Sequence, residues 1–216
     1  MLKTIRAKIE LETKLELPES QFHELIARCK VRKRSKQLNI YFDCDWLLAD
    51  KSITCRVRFT DSGNTATLKL PCKSNTSHGP RAVKELEAKL EGGLSGLPHR
   101  HIDVMAHLPY AWSEQLARLG VSTLSRVGWM RNTRYLVLLD GEQFEMDEVI
   151  LPNGSKVFEV EIESSDPMVH LRLVRFIKSV APDARPSVQS KFQRFREAAS
   201  AVPQGKSVNK EFTLAR

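Results

Sequence analysis

Glu10, Glu12 and Lys14 occupy alternate positions of the segment Ile9-Glu10-Leu11-Glu12-Thr13-Lys14-Leu15. In an extended chain successive side chains point to opposite faces, so the three charged groups share one face. Ile9, Leu11 and Leu15 share the other. Two carboxylates about 7 Å apart on one face repel each other. A hard divalent cation such as Mg²⁺ or Mn²⁺ would offset that repulsion through carboxylate oxygens. For one such segment alone, a solvated strand face is an equally simple reading.

The pattern recurs, and the recurrence favours chemistry. Arg56 and Arg58 alternate with Cys55, Val57 and Phe59. Lys69 shares a face with Thr65 and Thr67, while Glu85 and Glu87 stand opposite Leu86, Ala88 and Leu90. Asn132 and Arg134 share a face, as do Glu145 and Asp147. Glu159, Glu161 and Glu163 alternate with Phe158, Val160 and Ile162. An open sheet with one wet face would explain alternation but not the sorting of acid pairs and base pairs onto separate strands. A closed barrel with a charged interior explains both. Its acidic strands would bind metal, its basic strands would grip an anion, and its apolar faces would point outward under helices. Charges buried in this way demand a charged ligand, because unpaired they are costly.

The elements that must position these residues follow from periodicity. Strands are expected over 8–17, 39–47, 53–60, 65–70, 81–91, 130–139, 142–149 and 156–163, with turns at Asp61–Asn64 and Leu151–Gly154. A helix is expected from Pro18 to about residue 36, with Phe22, Leu25, Ile26 and Cys29 on its apolar face and a basic end. Residues 71–80 read as a loop, Gly92–Pro98 as a break, and 99–120 as partly helical. Asp166-Pro167 starts a helix to about Val180, and another covers about 187–200. Antiparallel strands with interspersed helices make the fold class α+β. One domain is expected over 1–200, with 201–216 a mobile tail.

Composition narrows the setting. The chain has 216 residues and a formal net charge of +8, which favours anionic partners without choosing among them. Cys29, Cys44, Cys55 and Cys72 show no paired spacing and read as reduced thiols. No secretory leader or spanning segment is visible, so a cytoplasmic protein is expected. His99, His101 and His107 lack partner carboxylates for a zinc site. No phosphate-binding GxxxxGK[ST] loop and no nucleophile-elbow sequence occur.

The ordered series of segments resembles the CYTH family, the triphosphate tunnel metalloenzymes. Glu10-Leu11-Glu12-Thr13-Lys14 is similar to its ExExK signature. Tyr41-Phe42-Asp43, Cys55-Arg56-Val57-Arg58, Thr67-Leu68-Lys69, Glu85-Leu86-Glu87, Asn132-Thr133-Arg134, Met146-Asp147, Phe158-Glu159-Val160-Glu161 and Ser190-Lys191-Phe192 resemble the later motifs. The resemblance covers roughly residues 8–196. It implies an eight-stranded antiparallel β-barrel forming a charged tunnel, with helices packed outside and a triphosphate bound across it.

On that basis Lys14, Arg56, Arg58, Lys69, Arg134 and Lys191 would bind the phosphates, since guanidinium and ammonium groups match phosphate oxygens. Glu10, Glu12, Asp147, Glu159 and Glu161 would hold Mg²⁺ or Mn²⁺. Glu85 and Glu87 would orient the basic residues or a water, while Tyr41, Asp43 and Asp45 read as structural. The implied activity is metal-dependent hydrolysis of a phosphoanhydride bond in a linear triphosphate, inorganic or organic, such as thiamine triphosphate. A class IV adenylate cyclase and a non-catalytic module binding polyphosphate or RNA ends are the alternatives. The expected partner is a small triphosphate, with neither membrane nor nucleic acid, in a monomer or homodimer.

Overall fold

The computed structural model describes residues 2–72, 80–90, 101–103, 108–187 and 189–201. Most of the 71–80 loop, the Gly92–Pro98 break, part of the 99–120 stretch and all of the tail beyond Ala201 lie outside them. Alternating sequence becomes strand, as expected: β1 (Leu2–Leu17), β2 (Lys30–Asp43), β3 (Thr54–Thr60), β4 (Gly63–Pro71) and β5 (Arg81–Leu90). β6 (His101–Asp103), β7 (Thr123–Leu139), β8 (Glu142–Ile150), β9 (Lys156–Glu163) and β10 (Arg185–Pro186) follow. Five helices intervene among the described residues: α1 (Glu19–Arg28), α2 (Leu47–Asp50), α3 (Tyr110–Ala117), α4 (Pro167–Val180) and α5 (Lys191–Ser200).

Eight strands close into an antiparallel barrel in the order β1-β5-β4-β3-β2-β7-β8-β9, with β9 returning to β1. Closure leaves no edge, and it separates an inner from an outer face on every strand. The outer faces are apolar. Those of β2 to β5 pack with Trp112 and Leu116 of α3. Those of β1, β7, β8 and β9 pack with Phe22 and Leu25 of α1 and with Val169, Leu173 and Ile177 of α4. Both helices present apolar residues at three- and four-residue spacing. No described helix is long and apolar enough to cross a membrane.

α5 crosses one end of the barrel. Ser190 caps it in a capping box with Gln193. Phe192 and Phe195 stack on Tyr41 from β2, at ring-centroid distances of 4.9 and 5.3 Å. Gly128 makes the close approach possible. It lies at φ +146°, next to a register shift between β2 and β7, and a Cβ there would meet Phe195 Cζ at 2.6 Å. Gly128→Ala is therefore expected to destabilise the protein by about 1–3 kcal/mol through overpacking against a stacked ring. A thermal melt of the variant checks this, and an unchanged Tm would show that α5 does not seat firmly on β7.

Several boundaries differ from expectation. The expected helix over 18–36 stops at Arg28, and residues 30–36 are strand instead. The apolar stripe of α1 ends at Cys29, which is extended (φ −114°, ψ 160°), and Lys30–Lys36 pairs with Leu138–Thr133 of β7. Without an apolar stripe the basic run gains nothing from helix, whereas strand pairing satisfies its backbone. The strand expected over 39–47 ends at Asp43, whose carboxylate accepts from the N–H groups of Cys44, Leu48 and Ala49 and so turns the chain into α2. β7 begins at Thr123, not near residue 130, and the last helix begins at Lys191, not near 187.

Candidate active site

Inward-facing side chains form a ring around a cavity of about 240 Å³. Strand register fixes who meets whom. Across β1 and β9, Glu12 pairs with Glu163 and Lys14 with Glu161. Across β8 and β9, Glu145 pairs with Glu161 and Asp147 with Glu159, and Arg134 of β7 stands beside Asp147. On the other side, Tyr41 pairs with Arg56 and Asn39 with Arg58, while Lys69 pairs with Glu85. β3, with its two arginines, stands diametrically across the ring from acidic β9.

Most of the cations are already committed to carboxylates. Arg134 donates from Nε and Nη2 to both oxygens of Asp147 at 2.8 and 2.7 Å, and also pairs with Glu145 and Glu161. Lys191, from α5, contacts Glu159 at 2.7 Å, Asp147 at 3.0 Å and Glu161 at 3.5 Å. Lys14 bridges Glu12 and Glu161 at 3.0 and 3.1 Å. Lys69 bridges Glu10 and Glu85, both at 3.0 Å. Such pairing offsets the desolvation of buried charge. Although burial opposes it, Arg134 and Lys191 hold the Asp147 carboxyl below its ordinary value. Against the same burial, Lys69 and Arg56 pull Glu85 down to about 2.

Arg56 and Arg58 differ from these. Among the described residues neither forms an ion pair, and Arg58 Nε donates to the neutral Asn39 Oδ1 at 2.8 Å. Arg56 Nε is buried with no partner. Burial, then Arg56 and Arg134, push the Arg58 guanidinium down to about 9. Two adjacent cations that form no ion pair fit an anion site.

Carboxylates also gather where β1 meets β9: Glu10 pairs with Lys8 and Lys69 and Glu12 with Lys14, while Glu163 forms no ion pair among the described residues. Glu10, Glu12 and Glu163 each offer an oxygen, and the three lie within 4.8 Å of one another. Glu12 is only 6% exposed, and its Oε2 has no partner. Burial, then Glu161, Glu10 and Glu145, push the Glu163 carboxyl up to about 7. Burial also raises Glu12, despite Lys14 beside it. Clustered carboxylate oxygens with an orphan acceptor fit a hard divalent cation.

The residues assigned to phosphate or metal from the sequence lie on inward strand faces or on α5. Glu10, Lys14, Arg56, Arg58, Lys69, Glu85, Glu87, Arg134, Glu161 and Lys191 line the cavity. Glu12, Asp147 and Glu159 share the inward faces without lining the cavity: Asp147 is engaged by Arg134 and Lys191, and Glu159 by Lys191, Arg194 and Ser187. Glu163 and Glu145 were absent from the expected set, although both stood on the expected acidic faces. Arg194 was also absent. It joins Glu16 at 2.6 Å and Ser187 at 2.9 Å, tying α5 to β1 and to the residue that follows β10. Only its position four residues after the Ser190 cap hinted at an inward direction.

The sequence profile of the CYTH domain matches residues 8–196. Among solved structures, a candidate adenylyl cyclase from Hippeastrum, described as having a dominant triphosphatase activity, aligns with a TM-score of 0.71 and 25% identity, over 87% of this chain and 95% of its own. A candidate adenylate cyclase from Bacillus halodurans aligns with a TM-score of 0.69 and 20% identity, over 88% and 98%. A protein from Pyrococcus horikoshii aligns at 0.56 and 15%, over 87% and 98%. The last two share the fold. No curated protein matches the chain significantly. The profile runs from the first acidic strand into the helix that plugs the barrel, and the chain belongs to the CYTH-domain family.

Proposed function

We propose that this protein is a metal-dependent triphosphatase that cleaves a phosphoanhydride bond of a linear triphosphate inside the barrel. One observation carries the reading: buried Arg56 Nε and buried Glu12 Oε2 are both orphaned. Arg56 lines the cavity, and Glu12 sits on the β1 face it shares with Glu10 and Lys14, opposite Glu163. A phosphate chain supplies what the arginine lacks, and a cation supplies what the carboxylate lacks. Members of the family bind triphosphates and depend on a metal, and the Hippeastrum relative has a dominant triphosphatase activity.

In this mechanism Arg56 and Arg58 grip phosphate oxygens through forked N–H donors. Lys14, Lys69, Arg134 and Lys191 add positive potential, held in place by Glu85, Asp147, Glu159 and Glu161. Being preorganised, they stabilise charge that develops on the leaving phosphate at no further reorganisation cost. Glu10, Glu12 and Glu163 would hold Mg²⁺ or Mn²⁺, which when bound would neutralise phosphate oxygens and acidify water. The chain's own carboxylates exclude a second anion from that side of the tunnel.

The names of two structural relatives favour cyclisation of ATP as the second reading. A panel separates the two: tripolyphosphate, thiamine triphosphate, ATP and pyrophosphate, each with Mg²⁺, Mn²⁺ or EDTA. Orthophosphate release from a triphosphate that stops in EDTA is the expected result. Cyclic AMP and pyrophosphate from ATP would favour the cyclase, and full activity in EDTA would remove the metal from the account.

A further inference from the structure

A second cavity, about 640 Å³, opens at the end of the barrel away from α5. It shares Arg58, Arg134 and Glu145 with the tunnel cavity, so the two adjoin. Its wall comes from the inward face of β2 before Leu38, the β3–β4 turn and the end of β5. Lys33 and Lys89 stand on this wall, exposed, and neither forms an ion pair among the described residues. Lys33 belongs to the exposed run Lys30–Lys36, which carries no acidic residue. Ser35, Thr60, Asn64 and Thr65 add hydroxyl and amide groups.

The other end of the tunnel is filled by the stack of Tyr41, Phe192 and Phe195. Whatever continues from an anion gripped by Arg58 must therefore run into this vestibule. A nucleobase or a heteroaromatic cofactor is best held by a stacking partner. No aromatic side chain lines the vestibule among the described residues, its apolar part comes from Leu90 and Leu136, and a positively charged organic ring would meet two lysines. Further phosphates meet cations and hydrogen-bond donors instead.

We propose that the vestibule binds the continuing units of a linear phosphate chain, making inorganic polyphosphate longer than three units the preferred substrate class. This rests on the reading of the tunnel as a triphosphatase. In each cleavage the oxygen of water bonds to a phosphorus held in the tunnel, and that phosphorus loses its bond to a bridging oxygen. The bond's electron pair stays on the leaving phosphate, and the proton of water passes to solvent.

The test compares wild type with the K33A/K89A double variant on tripolyphosphate and on sized long-chain inorganic polyphosphate. Neither lysine belongs to the tunnel's own anion contacts. KM for the long chain is expected to rise about tenfold, equivalent to about 1.4 kcal/mol, with kcat unchanged and tripolyphosphate kinetics unchanged. Equal effects on both substrates, or on neither, would overturn the vestibule assignment while leaving triphosphate hydrolysis intact. So would a lysine-dependent KM seen only with a 5′-triphosphorylated oligonucleotide, which would assign the wall to nucleic acid. Calorimetric titration of both phosphates in EDTA reads the vestibule without turnover. Long-chain binding should be the tighter in wild type and fall to the tripolyphosphate value in the variant.

Discussion

Replacing Arg134 with alanine is expected to destabilise the fold by about 3–5 kcal/mol, the effect of stranding a buried charge. Asp147 is 0% exposed and takes two of its hydrogen bonds from the Arg134 fork. Lys191 at 3.0 Å and Asn132 Nδ2 at 3.0 Å would remain, but Glu145 and Glu161 would lose the same partner. Urea unfolding of the variant measures the loss. Arg134→Lys should fall between the two, since it keeps the charge but not the planar fork. A loss below about 1 kcal/mol, the level of an exposed pair, would mean that water reaches Asp147 freely.

Replacing Arg56 or Arg58 with alanine should behave in the opposite way. Neither carries a carboxylate partner among the described residues, and the two repel each other within the barrel. Removing one relieves repulsion, so the unfolding free energy should stay level or rise. Triphosphate hydrolysis should fall about 10²- to 10³-fold, the scale of losing one preorganised charge donor. Stability up and activity down together identify a residue kept for ligand rather than for fold. Lower stability in R56A or R58A would contradict that reading and make the pair structural.

These two predictions show what could be read from the sequence and what could not. Glu10, Glu12, Arg56, Arg58, Glu159 and Glu161 could be placed on inward faces because strand alternation is strictly local. The charge sorting then required closure, because an open wet sheet has no reason to separate acids from bases. The pairing of Arg134 with Asp147, and of Lys191 with Glu159, depends on the register between β7, β8 and β9 and on where α5 docks. Neither is a local property. That is why Arg134 and Arg58 looked alike in sequence and differ in the barrel.

The basic run Lys30–Lys36 shows a second kind of limit. Its charges suit a helix end, and only long-range pairing with β7 makes it strand. Residues 123–129 were missed as strand because Gly128 and its neighbours break the alternation, and the break exists to seat Phe195. Glu163 had the right face and spacing, but it stands one step beyond the recognisable motif. Its closeness to Glu12 arises only from the β1–β9 closure.

A cation on Glu10, Glu12 and Glu163 and a phosphate chain on Arg56 and Arg58 should face each other across one tunnel. A crystal soaked with Mn²⁺ and tripolyphosphate tests it most directly through anomalous scattering. A manganese peak is expected against those three carboxylates, with phosphate density reaching both arginines. Manganese seated instead on Asp147 and Glu159, or phosphate density outside the barrel, would contradict it.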